Sequence, residues 1–236
     1  MLTIPIKYIV LLVILSAEPD SIPIIRDAAL EGWQGDTGLW APASDAVLKP
    51  DDPSLLEAIP GRGVLVNGPL GKTTNLTSEM LHADMQLHIE FMIPKDATSG
   101  VYLMSRYELQ IVDSYGNESL SFSDCGGIYQ RFDESRQRGW EGRAPLVNAS
   151  KAPGEWQSFD ITFRAPRFND AGKKTQHARF VKVVLNGQVI HENVDVTGPT
   201  RGSKYSNEEP LGALMLQGGQ GCVAYRNIDV VHLNLD

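Results

Sequence analysis

Three polar side chains of complementary chemistry occupy every second position of an otherwise apolar segment. Arg106, Glu108 and Gln110 are separated by Tyr107 and Leu109, and alternate residues of a β-strand point to the same face of its sheet. A carboxylate and an amide can hydrogen-bond to sugar hydroxyls, and a guanidinium can stabilise negative charge that develops on oxygen. The pattern indicates a sugar site on one sheet face. The alternative is a solvated face with ordinary surface ion pairs.

Short β-strands are the elements that would position these side chains. In residues 84–93 apolar residues alternate with polar ones such as His88 and Glu90, which is typical of a half-buried strand. Asn186-Gly187 predicts a tight hairpin turn between 180–185 and 188–191. Further strands are expected over 100–105, 107–113, 156–164, 212–217 and 223–233. No helical period is sustained after residue 17, so the pattern favours an all-β sandwich or barrel.

The composition is that of one large globular domain. The chain has 236 residues, of which 42% are hydrophobic and 21% charged, and its net charge is −8 at pH 7. An acidic protein offers little attraction to phosphate backbones, so nucleic acid is not expected as a partner. The sequence contains no P-loop, dinucleotide fingerprint, HExxH or GxSxG motif.

The first 17 residues have the layout of a secretory signal peptide. Lys7 precedes an apolar run over 8–15, which is too short to span a bilayer comfortably, and small residues follow it. A buried N-terminal strand is the alternative. We expect a secreted or periplasmic protein without membrane contact beyond the signal. Residues 18–63 are expected to form an irregular leader with at most one edge strand, around Trp40, and residues 64–236 the sugar-active domain.

Export would expose the two cysteines to an oxidising compartment. Under that condition a disulfide between Cys125 and Cys222 could persist, and we predict one. The alternative is two free thiols buried as small core residues.

Residues 90–113 resemble the core motif of a known family. Glu90-Phe91 followed by 98–113 resembles the "lEfR…NSGv.lR…yE.QilDs" core of the 3-keto-disaccharide hydrolases. Weaker matches follow in the family's order at 126–129, 152–156, 184–187, 211–217 and 225–228. The resemblance implies an all-β, concanavalin A-like and laminin-G-like jelly-roll β-sandwich of two antiparallel sheets, with a concave sheet as the sugar site.

The resemblance also implies a substrate and a reaction. The substrate would be a 3-keto di- or oligosaccharide or glycoside, whose C3 hydroxyl a partner sugar 3-dehydrogenase has oxidised. A C3 ketone acidifies the C2 proton, so a carboxylate base can form an enediolate that expels the glycosidic oxygen, and water then adds. The sequence requires no cofactor, and a divalent cation stays an open alternative.

The family's roles can be carried to matching positions of this chain. Glu108 would be the general acid or base and Arg106 would stabilise the enediolate. Asp113 and Glu90 are second carboxylate candidates, and the alternative for Asp113 is capping of a turn with the following Ser114. Trp140 is either a stacking platform for a sugar or a loop anchor. The predicted substrate-binding residues are Glu90, Gln110, Tyr129, Trp140, Gln217 and Arg226.

The chain departs from the family pattern at two places. Met92 stands where the family tends to have Arg, and Gly218-Gly219 stand where it has Asp-His. Losing an imidazole and a carboxylate removes candidate proton carriers or metal ligands, so a non-catalytic carbohydrate-binding module of the same fold is the alternative function. A laminarinase-like glucanase is disfavoured because Glu108 has no second carboxylate two or four residues further on.

Overall fold

The computed structural model describes residues 22–23 and 30–235, and every regular element in them is a β-strand. The predicted signal peptide lies outside these residues. No helix in the described part is long and apolar enough to cross a membrane. In chain order the strands are β1 (Ile22–Pro23), β2 (Ala41–Lys49), β3 (Asp52–Val66), β4 (Leu76–His82), β5 (Met85–Met92), β6 (Thr98–Leu103), β7 (Tyr107–Val112), β8 (Arg131–Asp133), β9 (Arg138–Trp140), β10 (Gln157–Arg164), β11 (Arg167–Phe168), β12 (Lys174–Gln176), β13 (Ala178–Leu185), β14 (Gln188–Val196), β15 (Gly212–Leu216) and β16 (Ala224–His232).

Two antiparallel sheets form the body of the protein. The large sheet has the strand order β14-β13-β10-β5-β16-β3-β2, with β1 also paired to β16. The small sheet has the order β4-β15-β6-β7, and two ribbons, β8-β9 and β11-β12, lie outside both sheets. Strands that follow one another in sequence are often distant within a sheet. This arrangement confirms the predicted all-β jelly-roll sandwich.

The main hydrophobic core lies between the two sheets. Leu87, Ile89 and Phe91 of β5 are fully buried, as their alternation in the sequence predicts. Phe91 stacks on Phe159 of β10 with ring centroids 4.9 Å apart. Leu109 of β7 packs into the same core from the small sheet. Since these residues fill one face of each strand, the opposite faces are left for other roles.

The β13–β14 hairpin has the predicted turn. Asn186 and Gly187 have φ values of 51° and 82°, the left-handed pair that a two-residue turn requires. Leu185 and Gln188 face each other directly across this turn. The Asn-Gly dipeptide therefore sets the register of this edge of the large sheet.

The interpretation of residues 18–63 as an irregular leader needs correction. Residues 41–66 form the long hairpin β2–β3, with β2 at the edge of the large sheet. A register shift between Ala43 and Asp45 breaks the alternation, so the buried Ala43 and Ala46 are three residues apart. A simple period of two could not reveal such a strand. The hairpin covers a second, smaller apolar cluster.

The predicted Cys125–Cys222 disulfide is not formed. Both thiols are free and buried. Cys125 belongs to the main core, whereas Cys222 belongs to the second cluster together with Ala224. Val223, between Cys222 and Ala224, faces the main core. Cys222 therefore points to the opposite side of the sheet, away from Cys125. Burial raises the pKa of Cys125 to about 11, which keeps this thiol protonated.

Two buried histidines make the fold sensitive to acid. His82 accepts a hydrogen bond from Met104 N at 3.0 Å, and His191 Nε2 lies 2.7 Å from Gly126 O. Burial lowers the pKa of each to about 4. The unfolded chain therefore binds protons near pH 6.5 that the folded chain binds only near pH 4, so stability falls as the pH drops across this window. We expect each histidine to cost up to about 3 kcal/mol by pH 4.

Urea unfolding at pH 7, 5.5 and 4.5 measures this loss. The variant H177Q, which removes an exposed histidine, is the control and should show the wild-type pH dependence. Because the buried Glu108 gives an opposing pH dependence in the same window, the decisive comparison uses the E108Q variant. Equal stability of E108Q at pH 7 and 4.5 would contradict the assignment.

Candidate active site

A polar cavity of about 270 Å³ lies on the outer face of the small sheet. Tyr107, Leu109 and Ile111 of β7 point into the core, so Glu108 and Gln110 between them point outward into this cavity. Strands β6 and β7 form its floor, and loops from three parts of the chain form its walls. The lining residues are Thr98, Tyr102, Glu108, Gln110, Tyr129, Arg201, Gly202, Gln217 and Gln220.

Glu108 is the central group of the cavity. Its side chain is nearly fully buried, with 3% of the residue exposed. Burial raises the pKa of Glu108 to about 8, and a hydrogen bond from the hydroxyl of Tyr102 opposes this rise. Burial also raises the pKa of Tyr102, so that hydroxyl stays protonated and donates. A carboxyl group poised near neutral pH can accept a proton from a substrate and return it.

The register of the β6–β7 hairpin makes room for this carboxylate. Tyr102 pairs directly with Glu108, and Gly100 pairs with Gln110. A Cβ atom on Gly100 would lie 2.5 Å from Glu108 Oε1. The absence of a side chain at position 100 is therefore a requirement of the site.

A buried threonine fixes the backbone of Glu108. The amide of Glu108 donates to Thr200 Oγ1 at 3.1 Å, and Thr200 N donates to Arg106 O at 2.9 Å. Thr200 lies immediately before Arg201 in a loop that closes one side of the cavity. The loop and the strand that carries Glu108 are thus held together.

Arg106 lies outside the cavity, although its spacing from Glu108 and Gln110 indicated that the three side chains share one face. Met104 and Ser105 have φ values of 56° and 57° and turn the chain between β6 and β7. The guanidinium of Arg106 donates to Asn207 O at 2.5 Å and to Met104 O at 2.9 Å, and it lies over the ring of Tyr205. Arg106 therefore anchors the loop that carries Arg201 and has no direct access to the cavity.

Arg201 is the cationic side chain among the cavity's lining residues, and the sequence interpretation missed it. Its guanidinium lies 3.8 Å from the ring centroid of Phe132, and its Nε lies 3.6 Å from Glu134 Oε1. Its own amide donates to Gln130 O at 2.8 Å. These contacts join residues distant in sequence, and no local pattern around Arg201 signals them.

Three predicted binding residues do meet around Glu108. With its amide oriented to donate, Gln110 reaches Glu108 Oε1 at 3.1 Å. Tyr129 comes from a segment that runs beside β7, where Tyr129 N donates to Glu108 O at 3.1 Å. Gln217 follows β15, and its backbone N donates to Gly100 O at 3.0 Å. The cavity thus offers amide and phenol groups suited to hydroxyls.

Three other predicted site residues lie elsewhere. Asp113 Oδ2 accepts a hydrogen bond from Asp96 N at 3.2 Å, so it caps a turn, which is the alternative weighed above. Glu90 and Arg226 form an ion pair at 2.7 Å on the large sheet, and Arg226 covers the ring of Trp156 at 4.0 Å. None of the three lines the cavity.

Trp140 lines a neighbouring cavity, also of about 270 Å³, which shares Arg201 and Gly202 with the first. Trp140 pairs with Arg131 across the β8–β9 ribbon, and the Arg131 guanidinium lies 5.0 Å from its ring centroid.

The departures from the family pattern have structural explanations. Met92 is buried in the second apolar cluster, on the side of the large sheet away from the Glu108 cavity. A Cβ atom on Gly218 would lie 2.3 Å from Thr74 O, so this backbone leaves no space for a side chain. Within residues 22–23 and 30–235, no three His, Cys, Asp or Glu side chains are grouped closely enough to hold a metal ion.

Gly202 is expected to be essential for the shape of the cavity. Its φ of 81° is strained for other residues, and a Cβ atom would lie 2.7 Å from the hydroxyl of Tyr102. We expect G202A to lose about 1 kcal/mol of stability and to lower activity about tenfold by displacing Tyr102. Gly172 has a φ of 72° with nothing within 4 Å of the added atom. The control G172A should therefore lose similar stability and no activity, and equal activities of the two variants would contradict this role of Gly202.

The fold and the cavity define a jelly-roll β-sandwich that carries a buried carboxyl group among polar side chains on its smaller sheet. The chain belongs to the family of 3-keto-alpha-glucoside-1,2-lyase-like domains, whose model matches residues 20–231. No curated protein matches significantly.

Solved structures show the same fold. The crystal structure of a candidate glycosyl hydrolase from Parabacteroides distasonis ATCC 8503 has a TM-score of 0.66 and is 23% identical, with 91% of this chain and 84% of that chain covered. A second one from the same organism has a TM-score of 0.51 and 20% identity, with 82% and 99% covered.

Proposed function

We propose that this protein cleaves 3-keto-glycosides by removing the C2 proton with Glu108. The observation that carries the proposal is the buried carboxyl of Glu108, whose pKa is raised to about 8, inside a polar cavity. Membership of the 3-keto-alpha-glucoside-1,2-lyase-like family supports the substrate class. A base of pKa near 8 is stronger than an ordinary carboxylate, which suits a carbon acid activated by a neighbouring ketone.

The reaction proceeds in two halves. Glu108 takes the C2 proton, the electron pair of that bond forms an enediolate with the C3 carbonyl, and the enediolate collapses to a C1=C2 double bond. The C1–O glycosidic bond breaks, and Glu108 gives the leaving oxygen the proton that it took from C2. Water then adds to C1 and its proton passes through Glu108 to C2, so the net result is hydrolysis without an oxocarbenium ion.

The other lining residues have matching roles. Negative charge develops on the C3 oxygen, and Arg201, the cationic residue among those that line the cavity, is the candidate to stabilise it. Gln110, Gln217 and Tyr129 would hold the sugar hydroxyls. Thr200 is a positioning residue that holds the backbone of Glu108.

The proposed substrate requires an earlier oxidation. A C3 ketone arises when a sugar 3-dehydrogenase removes hydride from the C3 hydroxyl, so such an enzyme would supply this one. The export signal predicted over residues 1–17 would place the protein in the periplasm or outside the cell.

Sugar release tests the proposal. The purified chain is incubated with methyl α-glucoside, either unmodified or oxidised to the ketone at C3, with and without EDTA. We expect release of methanol from the ketone alone, with kcat/KM rising with pH up to about 8 as Glu108 loses its proton. Binding of the plain glycoside without turnover of the ketone would overturn the proposal in favour of a carbohydrate-binding module.

A further inference from the structure

Two adjoining cavities share a single wall. The Glu108 cavity and the Trp140 cavity are both lined by Arg201 and Gly202, and each has a volume of about 270 Å³. The backbone of Gly202 abuts the hydroxyl of Tyr102, which belongs to the Glu108 cavity. A ligand of two linked rings could therefore occupy both cavities, with the link at Arg201 and Gly202.

The second cavity has the chemistry of a sugar-ring site. Trp140 is 37% exposed, which leaves ring surface free for stacking. Ser203 and Ser206 add hydroxyls that both donate and accept. The guanidinium of Arg131, 5.0 Å from the ring centroid, packs against Trp140 at the wall of the cavity.

The charges around this cavity are balanced. Arg131 Nη1 lies 3.8 Å from Glu141 Oε2, and Arg201 Nε lies 3.6 Å from Glu134 Oε1. Since each cation faces a carboxylate, neither sign of charge on the ligand is favoured. The ligand class is therefore a neutral polyhydroxy ring rather than an acidic one.

We propose that the Trp140 cavity is a second sugar subsite, which holds the leaving-group ring while the Glu108 cavity holds the keto ring. This inference rests on the proposed function. It predicts that the protein acts better on glycosides whose leaving group is a neutral hexose than on those with a small alcohol. Trp140 acts through binding and takes no part in the proton transfers.

A matched pair of substrates tests the subsite. Methyl α-glucoside and methyl α-maltoside are each oxidised to the ketone at C3 of the non-reducing ring, so that only the second has a leaving-group ring. We expect W140A to raise KM for the oxidised maltoside about tenfold, the size of one aromatic contact, and to raise KM for the oxidised glucoside by a much smaller factor. The control Y115A removes another exposed aromatic side chain, one that lines neither cavity, and should leave both KM values unchanged.

The outcomes separate this inference from the proposed function. Equal KM values of W140A and wild type for the oxidised maltoside would overturn the subsite while the proposed function stands. If the wild type cleaves neither ketone, the proposed function fails, and calorimetric binding of unoxidised methyl α-maltoside then decides the subsite. Binding about tenfold weaker in W140A would support it, and equal binding would overturn it. A thermal melt of each variant confirms that it is folded.

Discussion

The variant E108Q is expected to lower kcat on a 3-keto-glycoside by a factor of about 10²–10⁴, the usual contribution of a general base. Glutamine has nearly the shape of glutamate and keeps an oxygen for the Tyr102 hydroxyl, but it cannot accept the C2 proton. KM should change little because the cavity keeps its shape. Initial rates on oxidised methyl α-glucoside measure the effect.

The same variant is expected to be more stable than the wild type. The folded-state pKa of Glu108 is raised from 4.5 to about 8. The ionisation of Glu108 therefore lowers the stability of the wild type as the pH rises through this window, and the glutamine variant lacks this contribution. The advantage of E108Q should grow from pH 5 to pH 8 and reach a few kcal/mol, about 5 at most. Urea unfolding at these two pH values measures it.

A control separates burial from charge. Glu79 is an exposed glutamate on β4 of the same sheet, so E79Q should change neither kcat nor the pH dependence of stability. Full activity of E108Q, or a stability gain independent of pH, would rule out the role assigned to Glu108.

The variant G100A is expected to lower activity about 10²-fold with little loss of stability. Its φ is not in the left-handed region, so alanine fits the backbone, but the new methyl would lie 2.5 Å from Glu108 Oε1 and must displace the carboxylate. A displacement of about 1 Å at a reacting group costs roughly this factor. Steady-state kinetics and a thermal melt measure the two effects.

A second substitution checks that the loss comes from this contact. In G100A/E108D the shorter side chain leaves space for the methyl, so the double variant should lose less activity than the two single losses predict together. Strict additivity, or wild-type activity of G100A, would show that Gly100 does not shape the position of Glu108.

The sandwich and most of its strands could be predicted because their alternation is regular. Residues 84–93 and the Asn186-Gly187 turn show period two and a specific turn chemistry, and both match the structure. Strands β2 and β3 were not predicted, because a register shift within the hairpin places the buried Ala43 and Ala46 three residues apart. A pattern of period two cannot reveal a strand whose buried residues have lost that period.

From residue spacing alone, the candidate site was predictable only where one hairpin builds it, whereas Tyr129 and Gln217 were predicted from the family resemblance. Glu108 and Gln110 were identified from their spacing. Tyr102 could also have been predicted as a site residue, because a three-residue turn after Leu103 places Tyr102 directly opposite Glu108. Arg106 was misplaced because it belongs to this turn, where a spacing of two from Glu108 does not put both side chains on one face.

Arg201 had no such signal. It reaches the cavity because Thr200 and its neighbours bond to β7, about ninety residues earlier in the chain. Contacts of this kind follow from the topology and not from spacing. The Cys125–Cys222 prediction failed for the same reason, because the two thiols lie in separate clusters.

Deuterium incorporation tests the removal of the C2 proton most directly. Oxidised methyl α-glucoside is treated with the protein in D₂O, and the released 3-keto sugar is analysed by proton NMR at early times, with an incubation without protein to correct for spontaneous exchange. Elimination followed by hydration places a deuteron at C2, so we expect one deuterium at C2 for each sugar released, and no release with E108Q. Release of sugar that retains its C2 proton would contradict the mechanism.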